Sequence, residues 1–297
     1  MIQRFIATLA ATTVHTPRIA IARFLLAFGM LLSLLFNDMQ LVANHSYDKL
    51  PEYHALHTTT TSVPLKQLDI FMHMPPDAAK GVAIVVLLLV MTGMAPQVTG
   101  ILHFIVCFSY HNYFVVINGG DEISYVLSLL LLPLCLSDPR LNQWKRIKQT
   151  TEGRNIAGNI SLWVVRLQAA FIYFSAGYEK IFSRVWKEGT AVYYYTSHYR
   201  LGAPQWLRSI NESITLTPAV ALLSWGTIIF ELALAACLFL PFRIRRKFLL
   251  PGLAFHFLIV INFGLITFFF TMAGLLVLLL VCNPVMDTGQ DTTVRSL

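Results

Sequence analysis

Runs of apolar residues almost free of charge recur in five regions of this chain, separated by shorter polar stretches. Roughly 17 to 25 such residues in helical form cross the hydrocarbon core of a bilayer, and no water-soluble core accounts for five regions of this kind. Nor is the rest of the chain polar enough to offset them. Of the 297 residues 56% are hydrophobic and only 12% charged, a balance that excludes water as the only solvent. The expected fold is all-α, a polytopic transmembrane helix bundle.

Setting spans on the runs gives Ile19 to Phe36, Gly81 to Met94, Val98 to Val116, Ile123 to Leu136, Ile160 to Tyr178, Pro218 to Leu240, Leu249 to Phe263 and Leu265 to Val281, about eight in all. Several are short or closely joined, so seven spans and a re-entrant segment is the alternative. The first run follows Arg4 and Arg18 in the manner of a signal peptide. It has no small-residue cleavage pattern after it, and so reads as a retained helix.

The net charge of +7 does not mark a nucleic-acid binder, because the basic residues flank the apolar runs instead of forming a domain of their own. They act as topology signals. With the N-terminus inside, the inner segments hold Arg4, Arg18, Arg140, Lys145, Arg146, Lys148, Arg154, the Arg243 to Lys247 cluster and Arg295. They outnumber the basic residues of the longer outer segments, which puts both termini in the cytoplasm. Of the two long outer loops, Asn37 to Lys80 is rich in Asp and His, and Glu179 to Leu216 reads as an interfacial segment rich in Tyr and Trp. Cys107, Cys135, Cys237 and Cys282 lie in or beside spans without CxxC spacing and read as packing residues. His54 and His57 stand at i, i+3 without a third ligand, so no metal site is expected.

Charge within a span costs about 2.5 to 3.5 kcal/mol on insertion scales, so each instance asks for a partner or a task. Arg23, Arg166, Glu231 and His256 are such instances, and counting from the inner helix ends puts them in one buried ionic layer. That layer is either structural glue between helices or a proton or anion site. A second polar layer at the outer ends holds His111, Asn118, Gly119, Gly120, Asp121 and Lys180. Arg166, Ala170, Tyr173, Gly177 and Lys180 follow one another in steps of four and three, so they share one helix face directed into the bundle. By spacing alone Lys180 is either a snorkelling anchor or a buried base. The Asn118-Gly-Gly-Asp121 segment reads as a turn between helices.

Four segments carry a resemblance: HNYFVVINGGDEISYVLSLLLL (His111 to Leu132), RLQAAFIYFSAGYEKIFSRVWKEGTAVYYY (Arg166 to Tyr195), FELALAACLFLP (Phe230 to Pro241) and FHFLIVINFG (Phe255 to Gly264). Their order and spacing resemble the HTTM family, the membrane domains related to vitamin K-dependent gamma-carboxylase, over roughly residues 15 to 283. The most specific piece is AGYEKIFSRVWKEGTA, with an Ala-Gly pair, a Lys three residues on, and Trp186 followed by Gly189. The resemblance implies a transmembrane domain over 1–283 with a short polar tail over 284–297. It makes Lys180 the base of a membrane-embedded reaction, with Asp121 and His111 tuning or relaying its proton, and puts Glu231 and His256 where the family has a membrane acid and a histidine.

Within that family, RIAIARFLLAFGMLLSLLFND (Arg18 to Asp38), the short length and the lack of a large soluble domain are most similar to the sporulation-delaying protein B family. That implies a multi-pass protein of the bacterial cytoplasmic membrane, required for maturing a secreted antimicrobial peptide toxin. Its partners would be the precursor peptide, a small accessory protein and membrane lipids, with no nucleic acid. Gly119, Gly120 and Asp121 stand where the carboxylase has an Asn-His pair, which points away from glutamate carboxylation itself. Two alternatives stay open: a carboxylase or oxidoreductase using a quinone such as menaquinone, and a non-catalytic peptide-binding, export or immunity protein.

Overall fold

A computed structural model describes residues 2–37, 67–114, 118–147, 150–199 and 202–286. Two compact units divide the chain, Met1–Trp163 with Cys282–Leu297, and Val164–Val281. Both are helical. The Asp and His residues expected in the first outer loop lie mostly outside the described residues, as do His54, His57 and Arg295.

In the first unit α1 (Ile2–Ala11) leads to a two-residue strand β1 (Thr12–Thr13) and then to α2 (Pro17–Phe36). A short α3 (Ile70–His73) precedes α4 (Pro76–Thr92), α5 (Pro96–Tyr113), α6 (Gly119–Leu130) and α7 (Leu132–Ser137). Proline opens α2, α4 and α5, where its missing N–H leaves no hydrogen bond broken. Gly93, at φ 69°, closes α4 in the left-handed conformation. The core forms where α2 packs on α4 and α4 on α5, around Ala27, Met30, Leu34, Leu87 and Cys107. Gly100 of α5 faces Cys135 of α7 so closely that an added Cβ would come within 2.6 Å of the cysteine Cβ. All four cysteines are buried, and none is in a disulfide among the described residues.

The long α8 (Glu152–Phe182) contributes its beginning to the first unit and the rest to the second. Asn155 and Asn159, one turn apart near its start, donate to the carbonyls of Leu9, Ala10 and Thr12. They thereby satisfy acceptors that the end of α1 leaves without helical partners. There Thr12 and Thr13 pair antiparallel with Met286 and Val285 of strand β2. This ladder takes in two residues of the segment expected as a short polar tail.

In the second unit α9 (Arg184–Lys187), α10 (Ala191–Ser197) and α11 (Gln205–Thr215) precede α12 (Ala219–Ala236), which a 3₁₀ turn extends to Phe239. After α13 (Phe242–Arg245) come α14 (Leu249–Phe263) and α15 (Ile266–Leu276), the last continuing as a π-helical turn over Val277–Val281. Gly264, at φ 70°, ends α14.

Among the described residues three helices are long and apolar enough to cross a membrane: Pro17–Phe36, Glu152–Phe182 and Ala219–Phe239. Each of the other runs read as spans also carries helix, over Pro76–Thr92, Pro96–Tyr113, Gly119–Ser137, Leu249–Phe263 and Ile266–Val281. Large apolar side chains stand exposed along these helices, among them Val85, Ile101, Leu167, Phe171, Leu222, Ile229 and Leu258. A soluble protein rarely shows apolar surface on this scale.

Candidate functional site

Lys180 lies in the last turn of α8, on the face shared with Arg166, Ala170, Tyr173 and Gly177. Those four are buried, while Leu167, Phe171, Phe174 and Tyr178 on the other side are exposed. Helical side chains lean toward the N-terminus of their helix, and Lys180 follows that direction inward. Its Nζ donates to the Ala176 carbonyl at 3.1 Å and lies 2.9 Å from both carboxylate oxygens of Glu231 on α12. It also stands 5.3 Å from the ring centroid of Trp186, a cation–π distance. The lysine side chain is 22% exposed and the glutamate 9%. Lys180 is therefore not a snorkelling anchor.

Two glycines set this geometry. A Cβ on Gly177 would come 3.0 Å from Cγ of Leu232 and 3.3 Å from the Ile228 carbonyl, so the bare glycine lets α8 and α12 meet one turn from the ion pair. Gly189, at φ 73°, would carry a Cβ 2.9 Å from that of Ala221. It turns the chain after Trp186 tightly against the start of α12, where the backbone N–H of Val192 donates to Ser224 Oγ. Trp186 packs with Ala191 and Ile228 and meets the Tyr195 ring at 5.8 Å.

Tyr173, two turns before Lys180, pairs its hydroxyl with His256 Nε2 of α14 at 2.9 Å. The rings of Phe255 and Phe268 meet His256 edge-on. His256 Nδ1 is buried without a hydrogen-bond partner among the described residues.

The expected single ionic layer is thus corrected. Glu231 pairs with Lys180, the residue assigned to the other layer, and His256 pairs with Tyr173. Counting residues from helix ends misjudged depth for two reasons. The first turns of α12 lie beside α9 and α10, so Glu231 falls level with the end of α8. The lysine side chain also runs back a full turn.

Arg23 lies in the other unit, fully buried, donating to Gln143 Oε1 at 2.6 Å and to Thr99 Oγ1 at 3.2 Å. Gln143 in turn donates to Asp138, which binds Arg140 through both carboxylate oxygens at 2.9 and 2.7 Å. His15 Nδ1 stands 3.9 Å from the same carboxylate. Sequence reading missed Asp138 and Gln143 and took Arg140 for a loop charge; it is buried and internally paired. The available signal was the Asp138-Pro139-Arg140 triplet of opposite charges at the end of a span. Burial raises the Asp138 pKa, but the hydrogen bonds and charge of Arg140 outweigh it and hold the carboxyl below its ordinary range. Burial, with a smaller effect from the Arg140 charge, lowers the His15 pKa against the pull of Asp138.

Asp121 and His111 also belong to the first unit. Asp121 accepts from Ser33 Oγ at 2.7 Å and forms a capping box with Asn118, whose side chain accepts from the N–H groups of Gly120 and Asp121. Asn118-Gly-Gly-Asp121 is thus the start of α6. His111 Nδ1 lies 3.2 Å from Glu122, and its ring stacks on Tyr125 at 4.6 Å. Asp121 thus takes its partners from α2 and from the start of its own helix, His111 takes its partners from α6, and the acid beside Lys180 is Glu231. Arg166 is buried. No group of three His, Cys, Asp or Glu side chains suited to a metal occurs among the described residues.

No known family profile matches the chain, and no solved structure does. Two proteins of Bacillus subtilis strain 168 are similar to it over most of their length. The uncharacterized protein YitO is 32% identical over 281 residues, covering 93% of this chain and 88% of YitO. The sporulation-delaying protein SdpB is 30% identical over 239 residues, 80% of this chain and 72% of SdpB. At that identity and coverage, the chain belongs to the sporulation-delaying protein B family.

Proposed function

We propose that this protein acts in the bacterial cytoplasmic membrane to mature a secreted peptide toxin, and that the Lys180–Glu231 pair is its working site. The observation that carries the proposal is an ammonium and a carboxylate in contact at 2.9 Å beside a tryptophan ring, on three separate helices of a protein whose family is named for delaying sporulation. A pair kept in a largely apolar setting costs desolvation that a better-packed apolar pair would avoid. Transfer of the lysine proton to Glu231 leaves a neutral amine as base and a carboxylic acid as donor in one place. The amine accepts a proton from a bound substrate and Glu231 returns the displaced one. Its location next to α12 suits a substrate that arrives through the membrane.

The wider membrane reading belongs to the same proposal. Residues 1–283 form an HTTM-type domain of about eight spans with both termini in the cytoplasm. The β1–β2 ladder supports this topology, since residues 12–13 and 285–286 lie side by side and an even number of spans returns the chain to one side. The precursor peptide and a small accessory protein are the proposed partners. A quinone is the cofactor that the carboxylase resemblance implies. The orphaned Nδ1 of His256 suits a quinone oxygen, and the aromatic rings around His256 suit its planar ring. When bound, such a group supplies a hydroxyl proton and reducing electrons, and His256 with Tyr173 would hold it.

Expressing the precursor with and without this protein tests the function. Mature peptide of altered covalent mass, present only with the protein, is the expected result. Normal mature toxin of identical mass in its absence contradicts the proposal.

A further inference from the structure

Helix α11 divides into three faces that no contact with Lys180 explains. Trp206, Ile210 and Ile214 follow one another at steps of four, each advancing about 40° around the helix, and all are exposed, at 67%, 51% and 42%. Leu207 and Thr215 are buried on the next face. On that face Asn211 donates to Asn262 Oδ1 of α14 at 2.8 Å. Ser209, Glu212 and Ser213 are exposed on the third. A helix of a soluble protein has two faces, one for the core and one for water. A second apolar face, open and adjoining the polar one, needs a second apolar medium.

The neighbours of α11 fix its level. Only Leu216, Thr217 and Pro218 separate it from α12, the span Ala219–Phe239. Asn262 is in the last turn of α14, just before Gly264 ends that helix. With α14 taken as a span of the proposed topology, on which this step rests, the helix meets the end of one span and the beginning of another, where hydrocarbon gives way to headgroups. Its apolar stripe continues into the exposed Leu216 and Leu222 leading onto α12. Exposed Tyr194 and Tyr199 flank it, side chains that favour this boundary.

We infer that α11 is an interfacial helix whose Trp206–Ile210–Ile214 face is seated in the lipid leaflet at this end of the bundle, with the membrane surface as its partner. The inference does not rest on the Lys180 reading and survives its failure. It holds α10 in place as well, because α10 packs on α11 and carries the Tyr195 ring against Trp186.

Spin labels on single cysteines in lipid nanodiscs test it, and the four native cysteines, all buried, leave labelling selective for the introduced site. Labels at Ile210→Cys and at Glu212→Cys compare two exposed positions of one helix. The expected result is severalfold greater collision with oxygen than with a water-soluble nickel chelate at position 210, and the reverse at 212. Equal access of the chelate to both labels means a face open to water and overturns the inference. A label at 210 immobile and reached by neither agent means a protein-covered face, a second copy or another partner, and overturns it as well. Quenching of fluorescence by brominated lipid is the independent readout on the unlabelled protein: the quenched emission is expected to fall in Trp206→Phe, the remainder coming from Trp163 and Trp225, which are exposed on the spans Glu152–Phe182 and Ala219–Phe239. Quenched emission unchanged in Trp206→Phe counts against the inference.

Discussion

Lys180 and Glu231 are joined by two contacts of 2.9 Å in a setting where each charge needs the other. Glu231→Gln leaves the ammonium with an amide in place of its counter-ion, and is expected to cost about 2 kcal/mol, less than a fully buried pair because the lysine retains some exposure. Thermal unfolding in detergent measures it. Tyr173→Phe removes the hydroxyl from His256 Nε2 and leaves both ring nitrogens of a buried histidine without partners among the described residues, an expected loss of about 1 to 3 kcal/mol. The Asp138 network predicts a pH dependence of its own. His15 and Asp138 both have folded-state pKa values below their ordinary ones. Each therefore stabilises the fold above its unfolded pKa and loses that contribution as pH falls, His15 from about 6.5 downward and Asp138 from about 3.9 downward. Asp69 works in the other sense: burial raises its pKa to about 6, so its contribution is full in acid and is lost as pH rises through that value. His15→Phe is expected to remove a loss of stability that begins as pH falls below about 6.5, and Asp69→Asn to remove an opposing gain that begins below about 6, in a pH series of melting curves.

At the level of helices, close approach of α8 and α12 is what brings the pair together. Gly177→Ala puts a methyl 3.0 Å from Leu232, and the expected cost is about 1 to 2 kcal/mol with a lengthened Lys180–Glu231 contact. Melting curves and a crystal or cryo-EM structure of the variant check both parts. Helix positions were largely readable in the sequence, because a run such as Leu249 to Phe263 has no other way to satisfy its backbone in an apolar medium. The buried face of α8 was readable too, since steps of four and three bring Arg166, Tyr173 and Lys180 onto one side. Partners across helices were not. Glu231 finds Lys180 because α9 and α10 occupy the start of α12 and because the lysine turns back along α8, and neither fact leaves a trace in spacing. Asp138 stayed hidden for a related reason: its partners, Arg140 and Gln143, come from a loop that folds back on itself, and Arg23, bound to Gln143, comes from a distant span.

For the whole molecule, the described residues are helical over the apolar runs and expose extensive apolar surface, with three helices able to cross a membrane, and the one-sided eight-span topology is the proposal to be tested. Reporter fusions after Thr92, Ser137 and Phe239 are all expected to report the cytoplasm under the proposed eight-span topology; a reporter after Thr92 on the outer side would remove α4 from the count. Membership of the sporulation-delaying protein B family gives the molecule its setting, and the proposed function rests its chemistry on the Lys180–Glu231 pair. The most direct measurement is the intact mass of the secreted peptide from cells that make the precursor with wild-type protein or with Lys180→Arg, protein levels in the membrane being matched. Arginine keeps the positive charge and a bond to Glu231 but does not give up its proton. The account predicts matured peptide with the wild type and unaltered precursor with Lys180→Arg. Fully matured peptide of the same mass from the Lys180→Arg cells would contradict it.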